Sequence, residues 1–159
     1  MDRILYEMAE LVKQKYLHIN DYYNLTLEQK SILEQEDIEA LGGNIGSKQV
    51  IIDQVNQIDA RLRQLQSLLK EDFGMAALEG LPNHQSVKAI LEVKGRIKEI
   101  ISQAIKLDKE NTGRLRFVFD RIGTEVENNQ KTAQALKAYH HDNPRKQAVT
   151  VPVFMDHKR

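Results

Sequence analysis

Residues 86–141 read SVKAILEVKGRIKEIISQAIKLDKENTGRLRFVFDRIGTEVENNQKTAQALKAYHH. Apolar side chains recur in this stretch at steps of three and four. The series is Ile90, Val93, Ile97, Ile100, Ile101, Ala104 and Ile105, then Leu115, Val118, Phe119, Ile122, Val126, Ala133, Leu136 and Tyr139. That is the period of an α-helix with one apolar stripe. At 1.5 Å per residue the stretch makes a rod of roughly 80 Å. A rod of this kind cannot bury its stripe alone, so it requires partner helices. Gly95, Gly113 and Gly123 are its weak places, and Asn111-Thr112-Gly113 is where a bend is expected if there is one. The stripe resumes in phase at Leu115, which favours a continuous helix.

The partners come from the preceding residues. Residues 2–36 place Ile4, Leu5, Met8, Leu11, Val12, Tyr16, Ile19, Tyr23, Leu27 and Leu33 at helical spacing, with Asp2 as the expected N-cap. Asp37 is placed to cap a new turn carrying Ile38 and Leu41. Gly42, Gly43 and Gly46 follow, each costing roughly 1 kcal/mol relative to alanine inside a helix. The helix–helix turn is therefore expected between Asp37 and Ser47. A second helix over about 45–72 carries Ile52, Val55, Ile58, Leu62, Leu65, Leu68 and Leu69, with Gly74 as its C′ residue. Residues 80–83 read as a linker, and Asn143-Pro144 stops the long helix. Beyond it, residues 143–159 change character. Val149, Val151 and Val153 alternate with Thr150, Pro152 and Phe154, an extended tail that is either free or seated in a groove. The expected fold is all-α, an antiparallel three-helix bundle over 1–142 with long coiled-coil-like helices and this extended C-terminal tail.

Composition narrows the function. The chain has 159 residues, no cysteine, and 23 basic against 23 acidic side chains, interspersed. Nucleic-acid binding draws on clustered cations, so none is expected. Without cysteine there is no disulfide framework and no Cys-based zinc site. The first residues lack the apolar core of a signal peptide, and no run reaches the roughly 20 apolar residues of a membrane span. A cytoplasmic protein without membrane insertion is expected. His140-His141-Asp142 is the one cluster resembling metal ligands, but adjacent helical residues point about 100° apart. The run Gly42-Gly43-Asn44-Ile45-Gly46 lacks the ending of a phosphate loop, and no serine sits in a nucleophile motif. No enzyme, cofactor or metal is expected. Phe117 lies off the stripe, with Arg114 and Arg121 as its neighbours on the helix face. An off-stripe aromatic is a candidate partner-binding residue, unless another helix or the arginine stems cover it.

Two stretches resemble a known family. Thr26-Leu27-Glu28-Gln29-Lys30 is followed by Leu33, Asp37 and Leu41. Lys48-Gln49 and Ile52 are followed by Ile58-Asp59-Ala60-Arg61-Leu62, and Asn111 precedes Leu115 in the long helix. Over about residues 1–140 this arrangement resembles the FlgN family of flagellar type III export chaperones. The three glycines depart from the more helical turn of that family. The resemblance implies a chaperone that binds the C-terminal helical segments of hook–filament junction (hook-associated) proteins. It would keep them from assembling prematurely and deliver them to the flagellar export apparatus. Carried onto this chain, it implies client binding by Leu115, Val118, Phe119, Ile122, Val126, Leu136 and Tyr139, with Val151, Val153 and Phe154 of the tail. The competing reading is a structural coiled-coil adaptor whose stripe is satisfied in a homo-oligomer.

Overall fold

The computed structural model describes residues 1–74, 78–81 and 84–142, and among them there is no strand. Three long helices account for nearly all of these residues: α1 Asp2–Gln35, α2 Ile38–Phe73 and α3 Gln85–Asp142. A single 3-10 turn, Leu78–Gly80, lies in the second connection. The chain forms two compact units, Met1–Asn111 and Thr112–Arg159. The expected tail residues Val151, Val153 and Phe154 lie outside the described residues.

The first unit is a three-helix bundle, and its cross-helix bonds give the direction of each helix. Glu7 pairs with Arg61, Lys15 with Asp59 and Gln29 with Lys48, so α1 and α2 run antiparallel. Asp2 meets His84, Tyr22 meets Asp108 and Thr26 meets Asn111, at nearly constant offsets of 82, 86 and 85 residues. A constant offset means that α1 and α3 run parallel. The core is built from Leu5, Met8 and Val12 of α1, Leu62, Leu65 and Leu69 of α2, and Val87, Ile90 and Ile97 of α3. Apart from Val87, which extends the α3 stripe by one turn, these belong to the stripes read from the sequence.

The first connection is shorter than the sequence suggests. Only Glu36 and Asp37 separate α1 from α2, and Gly42, Gly43 and Gly46 are helical residues of α2. Two local devices make so short a turn. Glu36 adopts the left-handed conformation at φ 56°. Its N–H bonds the Leu33 carbonyl at 3.3 Å and that of Asp37 bonds Ile32 at 3.2 Å, which is a Schellman closure. The Asp37 carboxylate then accepts the Ala40 N–H at 3.0 Å and caps α2. Burial of Leu41, Asn44 and Lys48 on the inner face of α2 offsets the propensity cost of the three glycines. At the other end Gly74 closes α2 at φ 63°, as its sequence position suggests.

Three smaller expectations are corrected. The N-cap of α1 is Met1, and Asp2 instead reaches His84 Nε2 at 3.2 Å. Leu27 is exposed, because the helical phase turns Thr26 and Gln29 inward at that level. Leu68 is likewise exposed, beside the buried Leu69.

The glycines of α2 give opposite tests. A Cβ built on Gly42, Gly43 or Gly46 meets nothing within 4 Å. Alanine at Gly43 or Gly46 should therefore raise stability by about 0.5–1 kcal/mol each. Alanine at Gly74, where the backbone is left-handed, should lower it by about 1 kcal/mol. Urea denaturation midpoints read both signs.

Candidate functional site

The middle of the first unit is not apolar. Lys48 projects inward from α2 and places its Nζ 2.6 Å from Asp108 Oδ1 of α3. Lys48 is buried, while Asp108 keeps some contact with water. The Tyr22 hydroxyl donates to the other Asp108 oxygen at 2.8 Å, and the Lys48 ammonium lies 4.6 Å from the centre of the Tyr22 ring. Gln29 Oε1 accepts from Lys48 and from Asn111 Nδ2, both at 3.3 Å. Asn111 also donates to the Thr26 carbonyl at 2.9 Å. Asn44 donates to the Leu25 carbonyl at 2.9 Å. Lys48 and Asn111, two of the residues that carry the family resemblance, thus belong to one polar cluster. Burial pushes the Tyr22 phenol well above its ordinary ionisation range, with the Asp108 hydrogen bond and charge acting in the same direction.

Beside this cluster a seam runs between α2 and α3. One cavity of about 190 Å³ is lined by Ile19 and Tyr22 of α1, Ile52 and Val55 of α2, and Ile101 and Ile105 of α3, among others. Ile52 and Ile105 remain 38% and 50% exposed there. A second cavity, of about 240 Å³, takes in Val12 and Lys15 of α1, Leu62 and Arg63 of α2, and Lys94 and Ile97 of α3. On each helix the lining residues of the two cavities continue one series of threes and fours, so both belong to the same seam. The sequence assigns Ile101 and Ile105 to a stripe without distinguishing core from groove. Along the seam Ile97 and Ala104 are buried, Ile101 is half-buried and Ile105 is exposed.

The residues implied by the resemblance lie in the second unit, which is described by α3 as far as Asp142. Phe117 is 67% exposed, the most open large apolar side chain among the described residues. Phe119, Val126 and Tyr139 are also exposed. Leu115, Ile122 and Leu136 are half-buried and Val118 is buried. Helical spacing places Leu115, Val118, Phe119, Ile122, Val126 and Leu136 on one stripe, Tyr139 beside it, and Phe117 on roughly the opposite face. The continuous helix expected through Gly113 is observed. His140 packs edge-on to Tyr139, with ring centres 6.1 Å apart. Among the described residues no group of three His, Asp or Glu side chains is placed to hold a metal ion. No described helix is long and apolar enough to cross a membrane.

The polar cluster is testable by its asymmetry. Lys48→Met should cost about 1–2 kcal/mol, because the half-buried Asp108 carboxylate loses its cation. Adding Asp108→Leu to that variant should restore most of the loss, and urea denaturation of the single and double variants reads the coupling. Tyr22 gives a pH signature. The folded state keeps the phenol proton at pH values where the unfolded chain loses it. Its contribution is thus full below pH 10 and is lost as pH rises further. Tyr22→Phe should show a shallower alkaline fall than the parent chain in denaturation series above pH 10.

Comparison of the chain with known protein families, with characterised proteins and with solved structures finds no match, so the chemistry of these surfaces carries the functional reading.

Proposed function

We propose that this chain is a cytoplasmic, non-enzymatic export chaperone of the flagellar type III pathway. In this reading it holds the C-terminal helical segments of hook–filament junction proteins unassembled until they reach the export apparatus. The observation that carries the reading is the exposure of Phe117, Phe119, Val126 and Tyr139 on α3. Burying a large apolar side chain is worth about 1.5–3 kcal/mol, so a helix that leaves several in water gains when a partner covers them. The natural partner is another amphipathic helix, whose own apolar face would otherwise drive assembly. The resemblance of residues 1–140 to the FlgN family supplies the flagellar context.

A second reading has its own observation. Ile38, Ile45 and Ile52 stand seven residues apart on α2 and are 44%, 48% and 38% exposed. That spacing suits a helical seam between two copies, as in a structural adaptor that acts by self-association.

Co-purification separates the two. The chaperone reading expects a soluble stoichiometric complex with a hook-associated protein. Phe117→Ser with Phe119→Ser should weaken that complex at least tenfold and leave the helical content unchanged, since both side chains are already exposed. A stable symmetric dimer that captures no hook-associated protein would instead support the adaptor. Size-exclusion chromatography with light scattering reads both outcomes.

A further inference from the structure

The α2–α3 seam of the first unit has two chemically different halves. In the apolar half, Ile52 and Ile105 stand open to water over a floor where the Tyr22 hydroxyl is bonded to Asp108. In the other half the charges do not balance. Asp59 is the only carboxylate lining that cavity, and Lys15 holds it at 2.7 Å. Arg63 and Lys94 line the same cavity and form no ion pair among the described residues. A solvated cation needs no partner, but two of them at one end of an apolar seam select what fits there. From Lys94 to Ile105 the seam follows three turns of α3, or about 17 Å.

We propose that this seam docks an amphipathic helix of about three or four turns. Its apolar stripe lies over Ile52 and Ile105, and carboxylates in its terminal turn meet Arg63 and Lys94. The inference rests on the chaperone reading in taking that helix from the client. It differs in placing the primary contact in the first unit, away from Phe117 and Phe119. Isoleucine in the seam supplies affinity and the two cations supply orientation, because a helix with basic residues at that end would bring like charges together.

The test uses the full chain and two synthetic 18-residue helical peptides, followed by fluorescence anisotropy. Both carry leucine and isoleucine on one face. One has three glutamates in its N-terminal turn, and the other has lysines at the same positions. The acidic peptide is expected to bind at least tenfold tighter. Arg63→Glu with Lys94→Glu should reverse the preference, and Ile52→Ser with Ile105→Ser should weaken both peptides at least tenfold. All four residues are exposed, so the variants are expected to keep their helices, which circular dichroism checks. Equal affinity for the two peptides, no binding of the acidic one, or indifference to the charge reversal would each overturn the proposal. Capture of a hook-associated protein that survives the isoleucine substitutions but not Phe117→Ser with Phe119→Ser would overturn the seam and leave the chaperone reading intact. Selective binding of the acidic peptide without capture of any hook-associated protein would keep the seam and end the flagellar reading.

Discussion

The ion pair between Lys48 and Asp108 is the constraint on which the first unit depends. A buried cation in a bundle of leucine and isoleucine is costly unless its partner is in place. The partner is drawn from a different helix, 60 residues further along the chain. Tyr22 and Gln29 of α1 bond the same two side chains. One cluster therefore ties all three helices at one level. Leucine stripes alone tolerate a slip of one turn, because one leucine replaces another. A slip that parted Lys48 from Asp108 would leave two charges without their partner. Such a pair is expected to contribute uniqueness of register more than net stability.

Two kinds of apolar surface follow from this arrangement, and they suit different partners. The α2–α3 seam is concave and backed by α1, so an incoming helix is held on more than one side. The exposed side chains beyond Asn111 lie on the convex surface of one helix, so there the partner must do the wrapping.

Much of this was legible in the amino-acid order, and the limits are specific. Leu5, Met8, Leu62, Leu65, Ile90 and Ile97 are spaced at threes and fours, and they form the core that this spacing predicts. The chain ends of the helices were harder. Glycine propensity spreads the expected first turn from Asp37 to Ser47, whereas it lies at Glu36 and Asp37. Propensities are local sums of about 1 kcal/mol per residue, and burial of Leu41, Asn44 and Lys48 outweighs them. The polar cluster was hidden for another reason. Periodicity treats Thr26, Gln29, Lys48 and Asn111 as interruptions of a stripe, yet all four are buried. Their meaning comes from mutual placement across 19 to 85 residues of chain, which no local window contains. The seam was missed similarly, since Ile97, Ile101 and Ile105 share one spacing and only the position of α2 makes them walls of a groove.

The two-residue connection between α1 and α2 also bears on how the chain finds its fold. Contacts near that turn join residues only 16 to 19 apart, as with Asn44 and Glu28 or Lys48 and Gln29. The polar contacts that bring α3 home join residues 60 to 86 apart. Loop-closure entropy rises by about 0.6 kcal/mol per doubling of length, so docking α3 first would cost a little over 1 kcal/mol more. The Schellman closure at Glu36 and the Asp37 cap are local and form within a few residues. The α1–α2 hairpin is therefore the natural nucleus, zipping outward from its turn. α3 is its latecomer, waiting on a surface where Lys48 has already been set but Asp108 has yet to arrive.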